Sequence, residues 1–124
     1  MLYAILCYNF EDVVCAWSKE EEAVVMERLS AVQVPLAKAG KLGPVARLMP
    51  TTAATTLRKS KGGEPIVIDG PFAETKEQLL GFYVIDCTSL DEALDIARDL
   101  AKANPGGGSY EIRPVMAFFP QGNV

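Results

Sequence analysis

The sequence has 124 residues, 49% apolar and 23% charged, with twelve basic and sixteen acidic side chains and a net charge of −4. That is the length of one domain, spanning 1–124, and folding it removes roughly two-thirds of the unfolded surface from water, enough for a core without staples. The acidic balance, with Arg58, Lys59 and Lys61 as its one short basic stretch, argues against nucleic acid as a partner, because phosphate backbones need a basic surface.

Leu2 to Tyr8 is a continuous apolar run of strand formers and predicts a strand buried on both faces. It lacks a basic flank and is too short to cross a bilayer, so no membrane partner and a cytoplasmic location are expected. The three cysteines, Cys7, Cys15 and Cys87, are odd in number and in no CxxC spacing, which excludes a disulfide framework. Cys7 and Cys87 fall within strand-like runs and read as small buried hydrophobes. Asn9 to Trp17 reads as a loop.

Ser18-Lys19-Glu20-Glu21 has the form of a capping box and opens a helix. Val24, Val25, Leu29, Val32, Leu36 and Ala39 then recur at helical spacing until Gly40 stops the run. Pro35 is expected to kink or split this helix near Val34. Leu42 to Met49 predicts a second strand with an irregularity at Gly43-Pro44. Thr51 to Arg58 and Pro65 to Asp69 predict a hairpin around Lys61-Gly62-Gly63. In the next turn, Phe72 is expected to anchor in the core, and Glu74 to Glu77 to form a short helical turn. Leu79 to Cys87 is the strongest strand signal. Ser89-Leu90-Asp91-Glu92 reads as a second capping box, opening a helix that Asn104-Pro105-Gly106 breaks. Tyr110 to Val115 is the last strand, and Ala117 to Val124 a tail.

This order predicts an α+β, ferredoxin-like βαββαβ chain with an inserted hairpin, its antiparallel sheet carrying both helices on one face. Along the strongest strand Leu79, Tyr83, Ile85 and Cys87 point one way, and Leu80, Phe82 and Val84 the other. Two helices cover one face, so the other is left as a contiguous apolar patch. A second copy packed sheet to sheet would cover it, and a homodimer is expected. The competing arrangement folds the hairpin and tail across that face.

Asp69-Gly70-Pro71-Phe72-Ala73-Glu74-Thr75-Lys76-Glu77, continuing through Gln78-Leu79-Leu80-Gly81-Phe82-Tyr83, closely resembles the signature of the YCII-related family in its DGPF branch. The likeness extends over nearly the whole chain, through Tyr3–Tyr8, Thr51–Arg58, Leu90–Ala97 and Glu111–Val115. The resemblance implies a ferredoxin-like protomer that dimerises through its sheets, as in dimeric α+β barrels. Most DGPF proteins have no assigned activity. Many are encoded near extracytoplasmic-function sigma factors, which implies a regulatory context and a sigma-factor partner. Some YCII relatives use a His–Asp pair, and one is a dehydrochlorinase of a chlorinated hydroxyquinone. This chain contains no histidine, so that chemistry does not carry over.

The lack of histidine also removes the commonest general base and transition-metal ligand. Three scattered cysteines build no zinc site, and no cofactor or metal is expected. The remaining candidates are Asp69 at a strand end, Glu74 and Lys76 after it, Tyr83 on the central strand and Arg113 on the last. If these strands neighbour, Asp69, Tyr83 and Arg113 could face one cavity, with Arg113 gripping an anionic group, Tyr83 donating a hydrogen bond and Asp69 accepting a proton. A structural reading stands beside this one: Asp69 caps its own turn, Arg113 pairs with Asp69 or Glu111, and Tyr8 and Tyr83 are core aromatics. The functional expectation is a small-ligand-binding or regulatory module. The alternative is a cofactor-independent enzyme of a small aromatic or anionic substrate, with Asp69 or Glu74 as acid or base.

Overall fold

A computed structural model describes residues 1–121. Strand β1 (Leu2–Asn9) leads into a single turn of helix, α1 (Glu11–Val14), where the sequence suggested only loop. The Phe10 carbonyl closes that turn by accepting from the Val13 and Val14 N–H groups at 3.1 and 3.2 Å. Helix α2 (Lys19–Lys38) starts at a complete capping box: Glu21 N–H donates to Ser18 Oγ and Ser18 N–H to Glu21 Oε1. Pro35 does not split it. The proline stands in the last turn, so one backbone bond to the Ala31 carbonyl is forfeited, on the exposed side. Gly40, with φ of 71°, then ends the helix, as Gly40 N–H returns to the Ala37 carbonyl and Lys41 N–H to that of Leu36.

Strand β2 (Leu42–Arg47) follows. The expected strand from Thr51 is shorter than its sequence suggested, because Thr51–Ala53 winds into a 3-10 turn before β3 (Thr55–Arg58), which pairs with β4 (Ile66–Asp69). Strand β5 (Gln78–Asp86), helix α3 (Leu90–Ala103) and strand β6 (Ser109–Pro114) complete the chain. The tail expected from Ala117 to Val124 is irregular through 121, and its last three residues lie outside the described ones.

Four strands form one antiparallel sheet in the order β2-β5-β1-β6, while β3 and β4 make a separate two-stranded ribbon. This is the βαββαβ ferredoxin-like arrangement with an inserted hairpin. Tyr3 and Ile5 of β1, Tyr83 and Ile85 of β5, and Cys87 beyond it meet Ala93, Ile96, Ala97 and Leu100 of α3. Leu29, Val32 and Leu36 of α2 pack against the same cluster. Ile5, Ile85 and Leu100 are fully enclosed, each contributing about 1.5–3 kcal/mol of burial free energy. The opposite face carries Ala4, Leu6, Phe82 and Val84, with Glu111 and Arg113 beside them, as the register requires. Leu79 departs from the expected row of Tyr83, Ile85 and Cys87. The register shifts between Cys7 and Tyr8, and Leu79 pairs with Tyr8 on the outer face.

Three further expectations change. Phe72 is 76% exposed and does not enter the core. Gly70, with φ of 103°, turns the chain away, and Arg58 holds the Phe72 carbonyl alongside the hairpin at 3.1 Å. Glu74 and Thr75 are irregular and Lys76 and Glu77 form a bend, rather than a helical turn. The second capping box is half made. Ser89 Oγ accepts from Glu92 N–H at 3.2 Å, but the Glu92 carboxylate goes to Thr88 Oγ1 at 2.7 Å and to Lys41 Nζ at 2.8 Å. Lys41, fixed just past the end of α2, offers a charge that the Ser89 backbone cannot match.

Lys41 first, then Thr88, pulls the Glu92 carboxyl from 4.5 down to about 2. A carboxyl that is more acidic in the folded state adds stability above its unfolded pKa and loses it as the pH falls through the folded value. The melting-temperature gap between wild type and Glu92→Gln is therefore expected to be constant above the ordinary 4.5 and to close as the pH approaches about 2. Thermal melts across an acid series measure it. At Gly81, an added Cβ would stand 2.5 Å from the Ala46 carbonyl oxygen, an immovable backbone atom. Gly81→Ala should thus cost about 1–3 kcal/mol in denaturant titration.

Candidate functional site

The candidate residues do not converge. Tyr83 pairs with Ile5 and faces the helices, whereas Arg113 pairs with Ala4 on the opposite face of the same sheet. There Arg113 is exposed and bonded to Glu111 at 3.2 Å. Asp69 ends β4 in the separate hairpin, opposite Thr55; its carboxylate makes no side-chain hydrogen bond among the described residues and does not cap the turn. Lys76 is exposed in the loop before β5.

Glu74 lies in a different place, a polar recess of about 360 Å³ shared with Glu11, Thr51, Gly70 and Gln78. Glu11 already has partners here. Thr51 donates its hydroxyl to one carboxylate oxygen and its N–H to the other at 2.9 Å, and these bonds hold Glu11 below the usual carboxylate range. Gln78 Oε1 accepts from the Glu11 N–H at 3.0 Å. Thr56 Oγ1 donates to the Gly70 carbonyl at 2.7 Å and Gly70 N–H to that of Ala54 at 2.8 Å. These bonds tie the hairpin base and the Asp69-Gly70-Pro71 turn to α1.

A more enclosed cavity, of about 230 Å³, lies between the sheet and the helices. Its floor is the row Gly81–Cys7–Tyr110 across β5, β1 and β6, with Tyr83 one step along. Met26, Leu29 and Gln33 of α2, with Trp17 from the connection before it, supply the opposite wall. Gln33 Nε2 donates to the Tyr83 hydroxyl at 3.1 Å. Asn104, just past α3, donates its Nδ2 to the Tyr110 hydroxyl at 2.9 Å and to the Leu100 carbonyl at 3.4 Å. Burial raises both phenols above their ordinary value, outweighing those bonds, so both keep their protons through neutral pH. Arg47 reaches the rim, but its guanidinium is paired with Glu22 at 2.8 Å.

Of the cavity residues, the sequence reading singled out Tyr83 alone. Gln33 had a signal: it stands seven residues after Met26 and four after Leu29, a polar group on the inward face of a helix. Gly81 had another, since glycine inside a strand marks a gap, a bulge or a close approach. Among the described residues no three His, Cys, Asp or Glu side chains are grouped to hold a metal ion, and no helix is long and apolar enough to cross a membrane.

Comparison with known proteins gives the lineage. Residues 1–119 match the YCII-related domain. An uncharacterized protein of Rhizobium meliloti (strain 1021) is 71% identical over 120 residues, covering 97% of this chain and 96% of that protein. The chain belongs to the YCII-related domain family.

Among the described residues Cys7 is the thiol that lines the cavity, and its environment disarms it. Burial pushes the thiol up to about 12, and its proton points to the Ile5 carbonyl, 3.8 Å away. Burial likewise raises Cys87, while Cys15 is exposed. Iodoacetamide at pH 8 should therefore alkylate Cys15 rapidly and leave Cys7 and Cys87 unmodified until the protein is unfolded. Peptide mass spectrometry over a time course reads this directly.

Proposed function

We propose that this YCII-related chain is a homodimeric module that binds a small organic ligand in the cavity between sheet and helices. The observation that carries the reading is the cavity itself: an apolar chamber with a few fixed polar groups, the usual form of a small-molecule site. Its size suits a molecule of one or two rings, given that a cavity of ~150 Å³ accepts benzene. Binding rather than catalysis is favoured because, apart from Arg47 paired with Glu22 at the rim, the lining groups are neutral, and the thiol is held protonated. The Asp69-Gly70-Pro71-Phe72 segment supports membership of the DGPF branch, and the regulatory sigma-factor context follows from that resemblance. Unpaired cysteines suit a reducing, cytoplasmic compartment.

The dimer is supported by apolar side chains that lie outside the helix-packed core of one protomer. Both long helices pack on one side of the sheet, and Leu6 and Phe82 stand on the other. Leu57, Ile66 and Val67 of the hairpin are also exposed, on a two-stranded ribbon that is marginal by itself. A second reading, an enzyme using Asp69 or Glu74 as acid or base, is favoured by the polar recess that Glu74 shares with Glu11.

Light scattering at micromolar concentration should give twice the chain mass for wild type, and Leu6→Glu or Phe82→Glu should give a monomer; a monomeric wild type would remove the dimer. A thermal-shift screen of one- and two-ring compounds tests the binding reading, since a ligand of the native state raises its melting temperature. Turnover of any hit that Glu74→Gln or Asp69→Asn abolishes would instead establish the enzyme reading.

A further inference from the structure

We infer that the cavity selects neutral, planar carbonyl compounds, gripping a ketone or lactone oxygen through the hydroxyl protons of Tyr83 and Tyr110, and rejects their carboxylate counterparts. This rests on the cavity reading given above and specifies what fits it.

The argument begins with donor bookkeeping. A phenol has one proton to give and accepts through its oxygen lone pairs. At Tyr83 the oxygen accepts from Gln33 Nε2, and at Tyr110 from Asn104 Nδ2. Neither hydroxyl donates to any other described group, so both protons are uncommitted. A ligand acceptor in the cavity would take up either proton. The remaining polar group on the floor, the Cys7 thiol, spends its proton on its own strand at Ile5.

The two phenols come from opposite sides. Tyr83 sits on β5 and is tied to α2 through Gln33; Tyr110 sits on β6 and is tied to the C-terminal cap of α3 through Asn104. Their strands are separated by β1, so the backbones lie two strand spacings apart, roughly 10 Å. Cys7 and Gly81, the small residues of the row, leave the floor between them open. A flat ring fits over that floor with its carbonyl oxygen set between the hydroxyls that enter from the two walls, and Met26, Leu29 and Trp17 supply apolar contact above it.

Charge decides against the anion. A carboxylate entering an apolar chamber loses its hydration and needs a cation there to offset the loss. Arg47, the one cation at the rim among the described residues, is already paired with Glu22, and Arg113, the anion-binding candidate, is on the far side of the sheet. A neutral carbonyl meets two donors without that desolvation cost.

Titration calorimetry of the full chain with acetophenone, coumarin, benzoate and toluene tests this. Acetophenone and coumarin should bind at least tenfold more tightly than either benzoate or toluene. Tyr83→Phe and Tyr110→Phe, which keep the ring, should each weaken the carbonyl compounds roughly three- to tenfold and leave toluene unchanged. Should either variant prove unfolded by circular dichroism, Gln33→Leu provides a further probe: the Tyr83 proton remains available, and carbonyl binding should survive. Benzoate or toluene binding as well as acetophenone would overturn the neutral-acceptor inference and leave the cavity reading standing. No binding by any of the four would overturn both.

Discussion

Two small residues side by side in the middle of the sheet set the character of this protein. Cys7 and Gly81 face each other across β1 and β5, in the row that also contains Tyr110. Further along, the helix-facing rows are filled by Tyr3, Ile5 and Ile85, which pack with Ala93, Ile96, Ala97 and Leu100 of α3 in one buried cluster. Over Cys7 and Gly81 the sheet is too low for α2 to close, and the chamber remains. Gly81 cannot be enlarged to fill it, because β2 passes too near for any side chain. The register shift beside Cys7 reinforces the effect by ending the regular alternation where the cavity lies. The void is thus a consequence of how β2, β5 and β1 pair, and it is built into the same contacts that hold the sheet together.

Charge is arranged so as not to disturb that chamber. The ion pairs Lys41–Glu92, Arg98–Asp95, Arg47–Glu22 and Arg113–Glu111 lie at the periphery, and no charged side chain is buried among the described residues. Most of these pairs are open to water and contribute little to stability. Lys41–Glu92 differs in being part of a helix start: Glu92 satisfies Thr88, Ser89 satisfies Glu92, and Lys41 fixes the end of α2 to the beginning of α3. Local capping chemistry is here used for tertiary docking. That explains why the second capping box, complete in sequence, is open in the fold.

The architecture was legible because it depends on periodicity and on caps. The period-two run of β5, the Ser18–Glu21 box and the Gly40 stop all act within a few residues of themselves. The site was less legible because it depends on phase and neighbourhood. Whether Arg113 shares a face with Tyr83 is set by a one-residue register between β1 and β6, and the pattern Glu-Ile-Arg-Pro does not state that register. Plain alternation groups Leu79 with Tyr83, because nothing local announces the bulge. Pro35 drew an expectation of a break, but its cost depends on where the helix ends, and Gly40 ends it one turn later. Gln33 was readable in principle, a polar side chain amid an inward apolar stripe, although its partner lies fifty residues away.

The segment that identifies the family is structurally distinct from the cavity. Gly70 supplies a positive φ, its carbonyl and N–H close the hairpin base, and the Phe72 carbonyl receives Arg58. All of these are backbone functions, and they account for the glycine without invoking chemistry. The Phe72 ring has no such account within a protomer, nor have Leu57 and Val67, which stand in water on a ribbon too short to support itself. Apolar side chains held outward by an ordered turn make sense where a second surface receives them, and the outer sheet face of another copy offers apolar area of the same kind. The sheet then has two separate duties. Leu6 and Phe82 face the proposed partner, while their chain neighbours Cys7 and Gly81 face the cavity. A ligand held by Tyr83 of β5 and Tyr110 of β6 would therefore share β5 with the face that a second copy would clamp from behind, where Phe82 is the chain neighbour of both Gly81 and Tyr83.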